Sequence, residues 1–157
     1  MTWRGSTTVR DRIFASLPYL LPLIDGLSFG KKYLFEQFPV LKLFFAPLDP
    51  LLEIYSLPLA SLIIFFALYL GVVRNENISH FIRFNAMQAI LLDIVLMLCR
   101  LVLRIFEGPQ VEFIAETLYN MVFLGAFAAF VYAVVQSLLG RYAEIPPLSD
   151  AVYMQVR

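Results

Sequence analysis

Two long runs without a charged side chain constrain what this chain can fold into. They cover residues 54–73 and 117–139 and contain 20 and 23 residues. At about 1.5 Å of rise per helical residue, each run can cross a hydrocarbon core of about 30 Å. Both runs are therefore predicted to form transmembrane helices.

The composition points to lipid as the solvent for most of the chain. Of 157 residues, 61% are hydrophobic and only 15% are charged, and the mean hydropathy is +0.78. A soluble domain carries about a quarter charged residues. The interior of so small a protein cannot hide this many apolar side chains, so we predict an all-α, polytopic membrane protein with a single domain, 1–157.

Two further spans are predicted at 13–29 and 84–106, although both are interrupted. The interrupting residues are Pro18, Pro22 and Asp25 in the first of them, and Asp93, Arg100 and Arg104 in the second. Four spans put the N-terminus, the connector 74–83 and the C-terminus on one side of the membrane.

Basic residues decide which side that is. The side with the termini holds seven of them against five opposite, which predicts that both termini face the cytoplasm or, in a plastid, the stroma. The seven are Arg4, Arg10, Arg12, Arg74, Arg83, Arg141 and Arg157, and the five are Lys31, Lys32, Lys42, Arg100 and Arg104.

The segment 31–52, between the first two spans, mixes phenylalanines with charged residues. Pro39, Pro47 and Pro50 forbid one uninterrupted helix here. A broken, aromatic and mildly amphipathic pattern is typical of a segment that lies in the membrane interface. The alternative is a hydrophobic loop that packs against the transmembrane helices.

The C-terminal tail, 140–157, begins with two signals that break helices. Gly140 comes first, and the pair Pro146 and Pro147 follows. The tail is therefore predicted to be extended or partly disordered.

The third span is unusual because it carries charges. At about 100° per residue, Asp93, Arg100 and Arg104 fall within about 40° of one another on one helix face. Asn85 and Gln88 widen this polar side. Such a face should avoid lipid, because a charge at the bilayer centre costs about 2.5–3.5 kcal/mol on insertion scales.

Asp25 on the first span is a candidate partner for this face. It lies about 20 Å along its span, and Arg100 lies about 24 Å along the parallel third span, so an Asp25–Arg100 pair is possible. Three interpretations stay open: structural pairing, contact with a substrate or a conduit, and proton-coupled transport.

The fourth span carries small residues at every fourth position: Gly125, Ala129, Ala133 and Ser137. Such a stripe lets helix backbones approach closely in membranes. It predicts helix packing inside the bundle, with a homo-oligomer contact as the alternative.

Several classes of function are disfavoured. A formal net charge of zero argues against binding to nucleic acid. Cys99 and His80 are each the only residue of their type, so we expect no cysteine-rich or histidine-rich metal site, and we expect no cofactor. Phosphate-loop and hydrolase motifs are absent, so no enzyme is predicted. Because Arg12 already borders the first apolar run, we expect no transit peptide, so that the protein is bacterial or organelle-encoded or has been trimmed to its mature form.

Three stretches resemble the Tic20 family of plastids and cyanobacteria. They are LPYLLPLIDGLSFG at 17–30, FFALYLGVVRN at 65–75 and ISHFIRFNAMQAILLDI at 78–94. The resemblance implies four transmembrane helices with both termini on the stromal side. It also implies a core subunit of the inner-envelope preprotein translocon, which contributes to a protein-conducting path or its scaffold.

The implied partners are membrane lipid, other membrane subunits and a translocating polypeptide. The family supplies no catalytic residues to carry over. A different class of function remains the alternative, a small-solute or ion transporter in which Asp93 and Arg100 line a site. An accessory subunit of another photosynthetic membrane complex is a further alternative.

Overall fold

The first helical stretch contains a proline and continues past it through a short 3₁₀ turn. A computed structural model describes residues 7–146 and 148–156, and these residues form helices and no strands. Helix α1, Val9–Ser16, starts at a capping box in which Thr8 and Asp11 bond each other's backbone. Pro18 forces a short 3₁₀ turn, Leu17–Tyr19, and α2 continues over Leu20–Lys32.

The segment predicted at 31–52 is a chain of short helices. They are α3 (Leu34–Gln37), α4 (Pro39–Phe45), a 3₁₀ turn (Ala46–Leu48) and α5 (Asp49–Tyr55). A proline lies in the first turn of each of the last three, where its missing N–H costs nothing. The side chains of Phe35 and Phe45 are buried against Phe123, whereas those of Phe38 and Phe44 are 54% and 67% exposed. One face thus packs on the bundle, and the position of the other face in a membrane interface stays a prediction.

The predicted span 54–73 is not one straight helix. Helix α6 covers Ala60–Leu68 and continues as a π-helical turn, Tyr69–Val73. The axes of Pro39–Tyr55 and Ala60–Val73 differ by 95°. Pro58 cannot donate a helical hydrogen bond, and Leu59 takes the left-handed backbone conformation at φ 66°, so the chain turns here and residues 54 and 55 belong to α5.

The remaining two spans start earlier than the pattern indicated. Helix α7, His80–Leu103, begins at Ser79, whose hydroxyl accepts from Ile82 N, and ends in a 3₁₀ turn, Arg104–Phe106. Helix α8 covers Glu112–Leu138.

The tail contains a helix, which corrects the expectation of an extended or disordered segment. Helix α9, Leu148–Gln155, buries Val152, and Val156 just after the helix is buried too. Both lie in an apolar cluster with Phe84 and Met87 of α7. Burial of this apolar stripe outweighs the helix-breaking residues that precede it.

The helices run between two ends of the bundle. At the near end, as we call it, the start of α1 meets the connector 74–79, and His80 Nδ1 lies 2.8 Å from the hydroxyl of Tyr142 after α8. At the far end, Lys32 Nζ donates to Glu107 Oε1 at 3.1 Å. The start of α1, the connector and the chain after α8 therefore share one end of the bundle.

Among the described residues, two helical stretches have the length and composition to cross a membrane. They are Val9–Lys32 and Glu112–Leu138, and the bent pair Pro39–Tyr55 and Ala60–Val73 makes a third if it counts as one span. Helix α7, which carries Arg83, Asp93 and Arg100, is not among them.

Close contact between α2 and α8 depends on two glycines four residues apart. A Cβ at Gly26 would lie 2.9 Å from Ala126 Cβ, and a Cβ at Gly30 would lie 2.7 Å from a ring carbon of Phe123. Small residues at this spacing let helices approach without a gap. This Gly-x-x-x-Gly pair is the packing contact that the stripe on the fourth span was expected to supply.

Gly30→Ala should therefore lower the free energy of unfolding by about 1–3 kcal/mol, because the Phe123 ring is held by neighbouring aromatic rings and cannot move aside. Gly125→Ala is the matched control, since no atom lies within 4 Å of the added Cβ and alanine favours the helix by about 0.5–1 kcal/mol. Thermal unfolding in detergent measures both. Equal melting temperatures for the two variants would contradict the packing.

Candidate functional site: two polar groups along the third long helix

Four fully buried polar side chains form the inner cluster: Tyr19, Asn85, Gln88 and Ser137. The Tyr19 hydroxyl donates to Asn85 Oδ1 at 2.7 Å, and Ser137 Oγ donates to the same oxygen at 3.1 Å. Gln88 Nε2 donates to the Tyr19 hydroxyl at 2.9 Å and to the Ala143 carbonyl oxygen at 2.6 Å. The cluster joins the α1–α2 junction, α7, α8 and the chain after α8.

Local sequence explains why these side chains meet. The 3₁₀ turn at Pro18 places Tyr19 against α7, where Asn85 and Gln88 are three residues apart and share a face. Ala89 and Ala133 pack around Tyr19, and their small size leaves room for its ring. Almost every polar atom has a partner, as burial requires, although Gln88 Oε1 has none among the described residues.

The second group, the outer ion pair, joins α7 to α2. Arg100 Nη2 donates to Asp25 Oδ1 at 2.6 Å, to Ser28 Oγ at 2.6 Å and to the Asp25 carbonyl oxygen at 3.3 Å. The guanidinium also lies 5.0 Å from the ring centre of Phe29. The Asp25 side chain is 9% exposed and that of Arg100 is 34% exposed, so water only partly screens the attraction between the two charges.

Asp93 is bound separately, by Tyr55 at the end of α5. The Tyr55 hydroxyl donates to Asp93 Oδ2 at 2.9 Å, while Oδ1 has no partner among the described residues. Asp93 lies seven residues before Arg100 and thus on nearly the same face of α7. The bond brings α5 to this face.

Arg104 takes no part in the Asp25–Arg100 contacts of the described residues, and its place on the polar face stays a prediction. Helix α7 tightens into its 3₁₀ turn here, and Arg104 is exposed. At the far end the ion pair is instead Lys32 with Glu107, and the hydroxyl of Tyr119 lies 3.2 Å from the same carboxylate. The hydrogen bond from Lys32 lowers the pKa of Glu107 below its usual value, and Tyr119 adds to this effect.

The stripe of small residues on α8 is divided in the structure. Ala133 and Ser137 are buried in the bundle, whereas Gly125 is exposed and Ala129 is half-buried. A four-residue step advances about 40° beyond a full helical turn, so three such steps rotate the stripe by about 120°. One straight neighbouring helix cannot cover all four positions.

Sequence reasoning missed the three tyrosines that complete these contacts, Tyr19, Tyr55 and Tyr119. Each one lies in or beside an apolar segment. A tyrosine hydroxyl in such a place needs a hydrogen-bond partner, and this is the signal that could have found them.

An open groove lies beside the polar groups. Its volume is about 890 Å³, and it separates α1 and α2 from α5 and α6. Leucine and isoleucine side chains line most of it. Tyr55 lies at one end, and Arg10, Asn77 and Ser79 lie at the other, the near end of the bundle.

Comparison with known proteins settles the family. The model of the family described as "Chloroplast import apparatus Tic20-like" matches residues 8–152. The chain belongs to the Tic20 family.

Curated relatives come from both cyanobacteria and plastids. A Tic20 family protein of Synechocystis sp. is 54% identical over 151 residues, covering 94% of each chain. The chloroplastic protein TIC 20-II of Arabidopsis thaliana is 42% identical over 164 residues, covering 99% of this chain and 78% of that protein. The Tic20 family protein Ycf60 of Porphyra purpurea is 34% identical over 162 residues, covering 99% and 80%.

The stretches that carry the Tic20 resemblance are also those that build the polar groups. Residues 17–30 contribute Tyr19 and Asp25 and the close-packed pair Gly26 and Gly30. Residues 78–94 contribute Asn85, Gln88 and Asp93. In this Tic20 protein the stretches that resemble the family therefore supply residues to both polar groups and to the close contact between α2 and α8.

The outer ion pair predicts a non-additive double-mutant cycle. Asp25→Asn and Arg100→Gln should each lower the free energy of unfolding by about 1–3 kcal/mol, between the values for exposed and buried pairs. The double variant should recover part of this loss, because no unpaired charge is left behind. Thermal unfolding in lipid nanodiscs measures all three.

Arg104→Gln is the control for that cycle. It removes an equal charge from the exposed turn just after α7 and should change stability by less than about 0.5 kcal/mol. Additive losses in the double variant would refute the Asp25–Arg100 interaction.

Proposed function

We propose that this chain is an integral membrane subunit of a protein-translocation complex. The observation that carries the proposal is the match to the Tic20-like family over residues 8–152. That family is described by its place in the chloroplast import apparatus, and TIC 20-II is a chloroplastic member. Since relatives occur in a cyanobacterium as well, the proposal names polypeptide translocation and leaves the cargo open.

The proposed topology is four crossings with both termini in the cytoplasm or stroma. The near end holds the start of α1, the connector 74–79 and Tyr142. Because the chain returns to the same end each time, this supports an even number of crossings. Helix α7 is the third crossing, and its charges bond to α2 and Tyr55 within the protein. Helix α6 with its π-helical turn, which follows α5 after a 95° bend, provides the second crossing.

The inner cluster supports a scaffold more than a pore through one chain. Its four side chains bond one another, so these groups are not available to replace water around a passing polypeptide. A conducting path would then lie along the outside of the bundle, where other subunits meet it. This reading also weighs against a small-solute transporter, because Asp25 and Arg100 are bound to each other.

Helix α8 is the proposed contact surface for those subunits. Only 17% of its most apolar 18-residue stretch is buried within the protein. Phe113, Met121 and Leu124 are 82%, 62% and 56% exposed. An apolar face this large faces either lipid or another membrane protein.

The segment that contains α3, α4 and α5 is proposed to rest on the outer membrane interface. Its apolar side chains Val40, Leu43 and Phe44 are more than half exposed. Its charged residues pair with one another at the surface, as in the 2.5 Å contact of Lys42 with Glu36. Apolar side chains in lipid and ion pairs in water fit the interface better than a free loop does.

Photo-crosslinking in native membranes tests the subunit proposal. A photoreactive amino acid at Leu124 should yield adducts with other membrane proteins or with a stalled polypeptide. The control position is Phe123, which is 3% exposed and should yield adducts only within the chain. Adducts with lipid alone, from Leu124 and from equivalent exposed sites along α8, would contradict the proposal.

Cysteine labelling tests the topology. In a Cys99→Ser background, Glu76→Cys and Arg141→Cys should react with an impermeant thiol reagent from the cytoplasmic side, and Glu53→Cys and Glu112→Cys from the other. All four positions are exposed on the protein, so only the membrane decides access. Reaction of Glu76→Cys and Glu112→Cys from the same side would overturn the four-crossing arrangement.

A further inference from the structure

We propose that the groove between α1–α2 and α5–α6 binds one anionic membrane lipid, with its headgroup at Arg10 and its acyl chains along the apolar wall. This inference goes beyond the translocation proposal. Its failure would leave the topology and the subunit role as they stand.

The size of the groove favours a lipid over a helix. A volume of about 890 Å³ falls within the range of about 300–1,000 Å³ that holds small ligands. A transmembrane helix about 10 Å wide and about 30 Å long has a volume above about 2,000 Å³. The groove is too small to enclose such a helix.

The wall of the groove matches acyl chains. Leu21 and Ile24 line one side, and Ile64 and Leu68 line the other. From Asp11 to Ile24 the first helical stretch rises about 20 Å, so the apolar wall extends well into the hydrocarbon region. Water does not fill so apolar a space, whereas acyl chains are available around it.

The near end of the groove is suited to a negative charge. Arg10 forms no ion pair with any residue that the structure describes, and its guanidinium lies 5.7 Å from the ring centre of Phe14, which also lines the groove. The neighbouring carboxylate of Asp11 already accepts from Thr8 N at 3.2 Å. The Arg10 guanidinium is therefore available to an anionic group, while the Asp11 carboxylate is engaged with the backbone of Thr8.

Two more groups at this end can donate hydrogen bonds. Ser79 Oγ accepts from Ile82 N, which leaves its hydroxyl hydrogen for a ligand, and Asn77 lines the same end. The first turns of α1 and α7 lie here as well, and their dipoles add to the attraction for an anion. A phosphate-bearing headgroup complements this set, and an acyl tail continues from it into the groove.

Tryptophan quenching by brominated lipid tests the proposal on the full chain in vesicles. In a Trp3→Phe background, Phe14→Trp reports on the groove. Phe66→Trp is the matched control on α6, since Phe14 and Phe66 are 46% and 48% exposed and only Phe14 lines the groove. Brominated phosphatidylglycerol is compared with brominated phosphatidylcholine at low mole fraction.

We expect phosphatidylglycerol to quench the Phe14→Trp reporter at lower mole fraction than phosphatidylcholine, with no such difference for Phe66→Trp. Arg10→Gln should reduce the preference by about fivefold, the equivalent of the roughly 1 kcal/mol that one basic residue contributes near anionic lipid. Arg10→Lys should keep it, and so should Arg141→Gln, which removes an exposed arginine elsewhere.

Two results would overturn the proposal. Equal quenching by both lipids in the parent protein, or a preference that survives Arg10→Gln, would mean that no headgroup is selected there. A Phe14→Trp reporter that neither lipid quenches would mean that a protein segment occupies the groove. Circular dichroism of each variant establishes that it is folded, and the Arg10→Lys result separates loss of charge from loss of structure.

Discussion

Polar side chains on a helix surrounded by lipid need partners within the protein, because hydrocarbon supplies none. Helix α7 carries Asn85, Gln88, Asp93 and Arg100 along one side, and each of them bonds to a neighbouring element. Asn85 bonds to Tyr19 and Ser137, and Gln88 bonds to Tyr19. Asp93 bonds to Tyr55, and Arg100 bonds to Asp25. Helix α7 is therefore the axis around which α2, α5 and α8 are arranged.

The polar contacts form only because the backbones come close enough. Gly26 and Gly30 bring α2 against α8, and Ala89 and Ala133 leave the space that Tyr19 fills. Hydrophobic association does not drive helices together in lipid, so tight packing and hydrogen bonds share that task. In this protein close packing and polar contacts occur at adjacent residues, since Gly26 follows Asp25 directly and Ala89 follows Gln88.

Features set by local sequence were predictable, and features set by distant contacts were not. The uncharged run of the fourth span identifies α8 from sequence alone, whereas α7 begins at His80, four residues before the predicted span. Matched depth along two parallel helices was enough to suggest that Asp25 could reach Arg100, and the structure brings them together. The role of these residues in function stays a proposal.

The features that the sequence did not predict also have physical causes. Helix α9 forms because Val152 and Val156 find an apolar surface on α7, and the sequence of the tail does not reveal that surface. The turn at Leu59 was hidden because Pro58 and Leu59 lie inside an apolar run that periodicity reads as continuous.

That turn has a consequence for the membrane itself. The stretch Ala60–Val73 rises only about 21 Å at 1.5 Å per residue, about 9 Å less than a typical hydrocarbon core. Hydrophobic mismatch of this kind is relieved when the neighbouring lipid thins or the helix gains apolar neighbours. Because α5 departs at 95°, it extends sideways and cannot restore the missing depth. In the proposed topology the bilayer beside α6 is therefore thinner than the bilayer beside α8, and a chain that crosses there has a shorter apolar distance to travel.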